Sequence, residues 1–160
     1  MEATAATVHI TINALKAKAF RHIAPIDLTS IFTGFGPLPS VAETRNQSGP
    51  WDAPGRSRTV VFSDGSSATE TLTGYEDAAR FSYRITGFTG VLRYLASEAR
   101  GEWRFESTPT GLTSVVWRYE FVSRSKWLNP LVGLFTKRLW RGYMEHALNL
   151  SKAQVEALPA

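Results

Sequence analysis

The strongest constraint in this 160-residue sequence is its last stretch, Asn129 to Ala157. Asn129 followed by Pro130 predicts a helix N-cap with proline at the first helical position. From Pro130 to Ala157 nothing breaks a helix, since Gly133 and Gly142 are tolerable there. At about 100° per residue, Val132, Phe135, Leu139, Trp140, Tyr143, Met144, Ala147, Leu148 and Leu150 sweep one continuous arc. Lys137, Arg138, Arg141, Glu145, Lys152 and Glu156 crowd the other side. The arc is roughly 200° wide, broader than the stripe an ordinary surface helix needs. A helix of about 28 residues is about 42 Å long. It can cross a whole sheet, and its face is wide enough for a sheet to wrap it.

The preceding residues supply such a wrap. Thr7 to Asn13 alternates, so Val8, Ile10 and Ile12 share one face of a strand. Ala14 to Ile23 takes helical spacing, with Leu15, Ala19, Phe20 and Ile23 on one side, and Pro25 ends it. Asp27 caps a second short helical turn through Ile31 and Phe32. After the Gly/Pro punctuation of 33–39, strands are expected at 41–47, 57–63, 68–75, 80–86, 98–107 and 112–122. Asp64 and Gly65 mark one hairpin turn, and 108–111 another. Residues 48–55 read as a loop with an exposed Trp51, either folded over a cavity entrance or packed on the sheet edge. Residues 87–97 carry Gly87 and Gly90 among five large apolar side chains and read as a mobile apolar loop or a hairpin tip, a better candidate lid than the Trp51 loop. The whole order predicts one α+β domain over 1–160. A curved antiparallel sheet surrounds a long C-terminal helix, with two short helices after the first strand.

Composition closes off several classes of function. Zero cysteines exclude disulfides, thiolate metal ligands and a cysteine nucleophile. There is no run of 18 apolar residues, so no membrane-spanning helix and no stable membrane insertion are expected. An acid at position 2 and the lack of a basic stretch argue against a secretory signal, which predicts a cytoplasmic protein. The net charge of +4 is spread along the chain, giving no nucleic-acid footprint. His9, His22 and His146 lie far apart, so neither a metal nor another cofactor is expected. The basic side of the last helix is interleaved with acids and reads as a solvated face. A homodimer is left open.

The order and its punctuation resemble the START-like helix-grip superfamily, also called SRPBCC. That group takes in the Bet v 1-type pollen allergens, the START lipid-transfer domains and polyketide cyclase/dehydrase-like proteins. The resemblance rests on Val8-x-Ile10-x-Ile12, Phe20, Gly55 to Arg58, Asp64 with Gly65, and Glu70-x-Leu72. It continues through Phe81-x-Tyr83-x-Ile85, Gly111 to Thr113, Val115-x-Trp117-x-Tyr119-x-Phe121 and the closing helix. It covers nearly the whole chain, and the cyclase/dehydrase branch matches best. It implies a small hydrophobic, lipid- or polyketide-like ligand held between sheet and helix, with a cyclase or dehydratase activity there as the alternative.

Alternation names the candidate wall of such a cavity. Phe62, Tyr83, Trp103, Phe105, Trp117 and Tyr119 fall on inward strand positions, and Trp140, Tyr143 and Met144 on the helix. Tyrosine hydroxyls and tryptophan N–H groups would be the polar anchors. Arg58 and Glu70 break the pattern, because parity puts a cation and a carboxylate among inward apolar residues. A buried charge is costly unless paired, so they pair with each other, or they recognise ligand with Glu70 in acid–base work. His22, at the end of the first helix, reads as a capping cation or as a proton shuttle at the cavity mouth.

Overall fold

A computed structural model describes residues 3–159. The alternating N-terminal segment forms β1 (Ala3–Ile12), which zips antiparallel onto β7 (Thr113–Ser123) with Ala3 opposite Val122. Between them in sequence come β2 (Val41–Arg45), β3 (Ser57–Phe62), β4 (Ser67–Glu76), β5 (Arg80–Thr86) and β6 (Ala96–Ser107). The seven strands lie in the order β1-β7-β6-β5-β4-β3-β2, and every neighbouring pair is antiparallel. The register slips in β2 between Val41 and Glu43, in β4 between Leu72 and Gly74, and in β6 between Ala96 and Glu98. Such bulges bend and twist a strand, and here they go with the curl of the sheet.

The helical elements fill the concave side. Helix α1 (Lys16–Ile23) buries Ala19, Phe20 and Ile23. A 3₁₀ turn follows at Leu28–Ser30, where the Asp27 side chain accepts from the Thr29 N–H at 3.0 Å, the expected cap. The C-terminal helix runs as α2 (Asn129–Leu134), a π-helical turn (Phe135–Trp140) and α3 (Arg141–Glu156). Helix α3 buries Tyr143, Met144, Ala147, Leu148 and Val155. No helix among the described residues is long and apolar enough to cross a membrane.

Three expectations are corrected. Asn129 is not the N-cap. Its backbone is already helical, at φ −52° and ψ −43°, because the 3₁₀ turn Lys126–Leu128 leads straight into α2. Side-chain capping needs an extended residue there. The long helix is also not uniformly α. The Thr136 hydroxyl donates to the Val132 carbonyl at 2.7 Å, occupying the acceptor an α-helix would offer to the Thr136 N–H. The backbone widens into a π turn at that point. Finally, Trp51 is not exposed: it is 5% accessible and belongs to the core.

Candidate ligand-binding cavity

The concave face divides into a packed end and a hollow end. At the packed end Phe20 meets Phe81, Phe105 and Tyr75 edge-on, at ring distances of 5.9, 5.1 and 5.4 Å. Trp103 stacks on Trp117 at 4.4 Å and on Phe81 at 5.7 Å. The Trp117 indole N–H donates to the Tyr83 hydroxyl at 2.9 Å. Tyr83 itself lies across Gly101, where a Cβ would stand 2.2 Å from its ring. Five residues expected on the wall of a ligand cavity are therefore buried in the core cluster and do not border the main cavity: Tyr83, Trp103, Phe105, Trp117 and Met144. Alternation fixes the face of a strand. It does not say which length of that face a helix covers, and here α1 covers this one.

The hollow end holds a cavity of about 310 Å³. Val60 and Phe62 of β3, Ala68 of β4, Ile85 of β5, and Tyr119 and Phe121 of β7 form its floor. Phe135, Trp140 and Tyr143 of the C-terminal helix form its roof. Phe62, Tyr119, Trp140 and Tyr143 are thus the sequence candidates that border it. One side is closed by Phe32 and residues 37–39, and the other by Phe88, Val91, Leu92 and Leu95. The latter group is the segment expected to be a lid, and its tip folds as a 3₁₀ turn, Val91–Tyr94. Phe32, Leu38 and Phe121 border the cavity but are not among the candidates the sequence named for its wall. The first two lie in irregular chain with no periodicity to follow, while Phe121 was legible by parity with Tyr119.

The π turn shapes the roof. In an α-helix residues five apart stand about 140° from one another around the axis, and a wider turn reduces that angle. Phe135 and Trp140 stack at 6.2 Å with 23° between their planes, and both border the cavity. The Tyr143 hydroxyl donates to the Pro39 carbonyl at 2.8 Å and accepts from the Gly34 N–H at 2.9 Å, so it pins the 34–39 segment to α3. The Trp140 N–H is buried with no acceptor among the described residues, which leaves a donor at the cavity wall. Burial pushes the Tyr119 phenol well above its usual value, so it is a neutral hydroxyl. Asp64 reaches the cavity from the β3–β4 turn. Hydrogen bonds from the Ser66 hydroxyl and N–H hold its carboxyl below the usual range.

Arg58 and Glu70 do pair, as burial of two charges demands. Both are 6% accessible, and Arg58 Nη2 stands 2.6 Å from Glu70 Oε1, with Nε at 2.8 Å. The Arg58 guanidinium also lies 4.0 Å over the Trp51 ring, which explains why that tryptophan is buried. Burial pushes the Glu70 carboxyl up, and Arg58 opposes the shift. The pair borders a separate crevice of about 30 Å³ beside Tyr83, Trp103 and Trp117. Leu28 and Phe32 border both spaces and form the partition between them. His22 lines neither space: its Nε2 meets Gln154 Oε1 at 2.9 Å and ties α1 to α3. A further hollow of about 380 Å³ lies on the outer sheet face beside Arg84, Arg100 and Arg118, whose charges are already paired with Glu98 and Glu120. No group of three or more potential metal ligands occurs among the described residues.

A curved antiparallel sheet gripping a C-terminal helix around an apolar chamber defines the helix-grip, Bet v 1-like class. The Bet v 1 allergen Ara h 8.0201 is similar over 98% of this chain and 100% of its own, with 14% identity and a TM-score of 0.67. A protein from Nitrosospira multiformis matches with 15% identity and a TM-score of 0.69, over 96% of this chain and 97% of its own. DynU16, a protein of the dynemicin biosynthetic locus, matches 96% of this chain with 47% of its own, at 15% identity and a TM-score of 0.64. No curated protein matches the sequence. The chain belongs to the polyketide cyclase/dehydrase and lipid transport family, whose model matches residues 3–156.

Proposed function

We propose that this protein binds a small apolar or amphipathic molecule in the cavity between sheet and C-terminal helix. The observation that carries this reading is the chamber of about 310 Å³ with a largely apolar wall. That size is at the lower end of ligand pockets, and a few convergent polar groups on an apolar wall are what such pockets use. Tyr143 spends its hydroxyl on Pro39 and Gly34, so the Trp140 N–H and the Tyr119 hydroxyl are the anchors. They suit a ligand with an oxygen acceptor at one end and hydrocarbon elsewhere. The family description, which names lipid transport beside cyclisation, supports the same ligand class.

Binding is favoured over turnover because of the groups that face the chamber. Among the described residues its titratable members are Asp64, Tyr119 and Tyr143, one held acidic and two raised. None is poised near neutrality, where a general acid or base works best. Glu70 is engaged by Arg58 behind the Leu28–Phe32 partition.

Fluorescence titration with anilinonaphthalene sulfonate tests the reading. The wild-type chain should give saturable enhancement, and Val60→Phe, which projects a ring into the chamber, should abolish it while the fold persists by circular dichroism. Enhancement unchanged in folded Val60→Phe would place the probe elsewhere and defeat the reading.

A further inference from the structure

The cavity mouth carries an apolar rim with no partner. Among the described residues, Val91 is 78% accessible, Tyr94 61%, Trp127 82%, Leu131 56% and Leu134 59%. Val91 and Tyr94 belong to the lid turn. Trp127, Leu131 and Leu134 follow at intervals of four and three residues, so they line one side of the C-terminal helix and the turn before it. Val132 and Thr136, on the other side, are buried. The two segments are tied together at Arg124, whose N–H donates to the Leu95 carbonyl at 2.9 Å and whose Nε donates to the Arg93 carbonyl at 2.7 Å. They also share the opening, since Val91, Leu92 and Leu95 border the cavity from one and Phe135 from the other. Single exposed hydrophobics are ordinary, but a cluster around a cavity mouth marks an interaction surface.

Charge identifies the occupant. From Arg124 to Met144 the sequence holds five cations and no acid, and residues 86–97 hold Arg93 and no acid. The acids are all elsewhere, with Asp64 reaching the cavity from the β3–β4 turn. Arg141 is engaged by Glu145, which leaves Arg93, Arg124, Lys126, Lys137 and Arg138 around the rim. The Lys126 ammonium sits 5.3 Å from the Trp127 ring, and Arg93 sits 4.6 Å over Tyr94. Aromatic and aliphatic side chains interleaved with cations are the make-up of a segment that lies in a lipid headgroup layer.

We propose that this rim docks the protein on an anionic lipid surface, with its apolar side chains in the headgroup boundary and the flanking cations against phosphate. The cavity mouth then opens onto the membrane. This goes beyond ligand binding and does not depend on it, because the rim is complete whether or not the chamber is filled.

Vesicle flotation of the whole chain tests the proposal. Binding is expected to phosphatidylcholine vesicles with about 30% phosphatidylglycerol. It should be at least about tenfold weaker to phosphatidylcholine alone, and should weaken with salt. The double variant Trp127→Ala, Leu131→Ala should lose about tenfold in partitioning with an unshifted melting temperature, since both residues are exposed. Leu15→Ala, which removes an exposed leucine outside the rim, should bind as wild type, and so should the cavity-filling Val60→Phe. Failure to bind anionic vesicles, or binding that survives the double substitution, overturns the proposal. So does light scattering that shows self-association abolished by the same two substitutions, which would assign the rim to a second copy of the chain.

Discussion

Arg58 is held between two neighbours, the Glu70 carboxylate and the Trp51 ring. Replacing it by methionine strands a carboxylate among apolar side chains, which costs about 3–5 kcal/mol, whereas replacing both partners by apolar residues costs much less. Urea unfolding should therefore rank wild type above the double variant Arg58→Met, Glu70→Leu, and that variant above Arg58→Met alone. The ranking should depend on pH in a defined direction. Burial raises the Glu70 carboxyl in the folded state, and Arg58 opposes this. A raised folded-state value means that the protonated form favours folding, so its contribution is full at low pH and is lost as pH rises through that value. Without Arg58 the rise is larger. The deficit of Arg58→Met should then be greatest at about pH 7 and shrink towards about pH 4. A deficit that grows on acidification would contradict this. The pair was legible in the sequence because a charge at an apolar parity position is conspicuous. The burial of Trp51 was not, because its polar neighbours describe a loop and its platform is a side chain from another strand.

At the scale of elements, the roof of the cavity depends on one irregularity in a helix. The π turn brings Phe135 and Trp140 to the same wall. Thr136→Ala frees the Val132 carbonyl for the residue-136 N–H and restores the α pitch, which sets Phe135 and Trp140, still five residues apart, about 140° from one another. Affinity for the fluorescent probe should fall about tenfold, the worth of one aromatic anchor, while the far-ultraviolet spectrum keeps its helical content. Unchanged affinity would mean that the π turn has no part in the site. The helix, its length and its apolar face were plain from periodicity. The π turn was not, because a helical wheel of about 200° absorbs one extra residue without visible error. The same holds for the strands. Their faces were legible, but the boundary between packed core and hollow is set by where Phe20 lands on β5 and β6, a contact between distant segments.

Across the whole molecule, the two walls beside the cavity are held very differently. Residues 34–39 are fastened to α3 by both hydrogen bonds of Tyr143. The lid turn exposes Val91, Arg93 and Tyr94, and is anchored at its ends by Arg124 and Ser67. Amide exchange should therefore be fastest across Phe88–Leu95 and slowest in β5, β6 and β7, with the lid slowing when the probe is bound. Equal protection of both walls would speak against the lid as the route of entry. The antiparallel sheet was foreseeable from its strands, but its order was not, because turn chemistry fixes hairpins and says nothing of what the first strand pairs with. That strand pairs with β7, about 100–120 residues later in the chain. During synthesis at about 5–20 residues per second, β1 is made about 5–24 s before its partner exists. Its alternating Val8, Ile10 and Ile12 are an open strand edge for all of that time. A run of slow codons after residue 123 gives the two strands time to meet, whereas the same run before residue 113 only lengthens the wait.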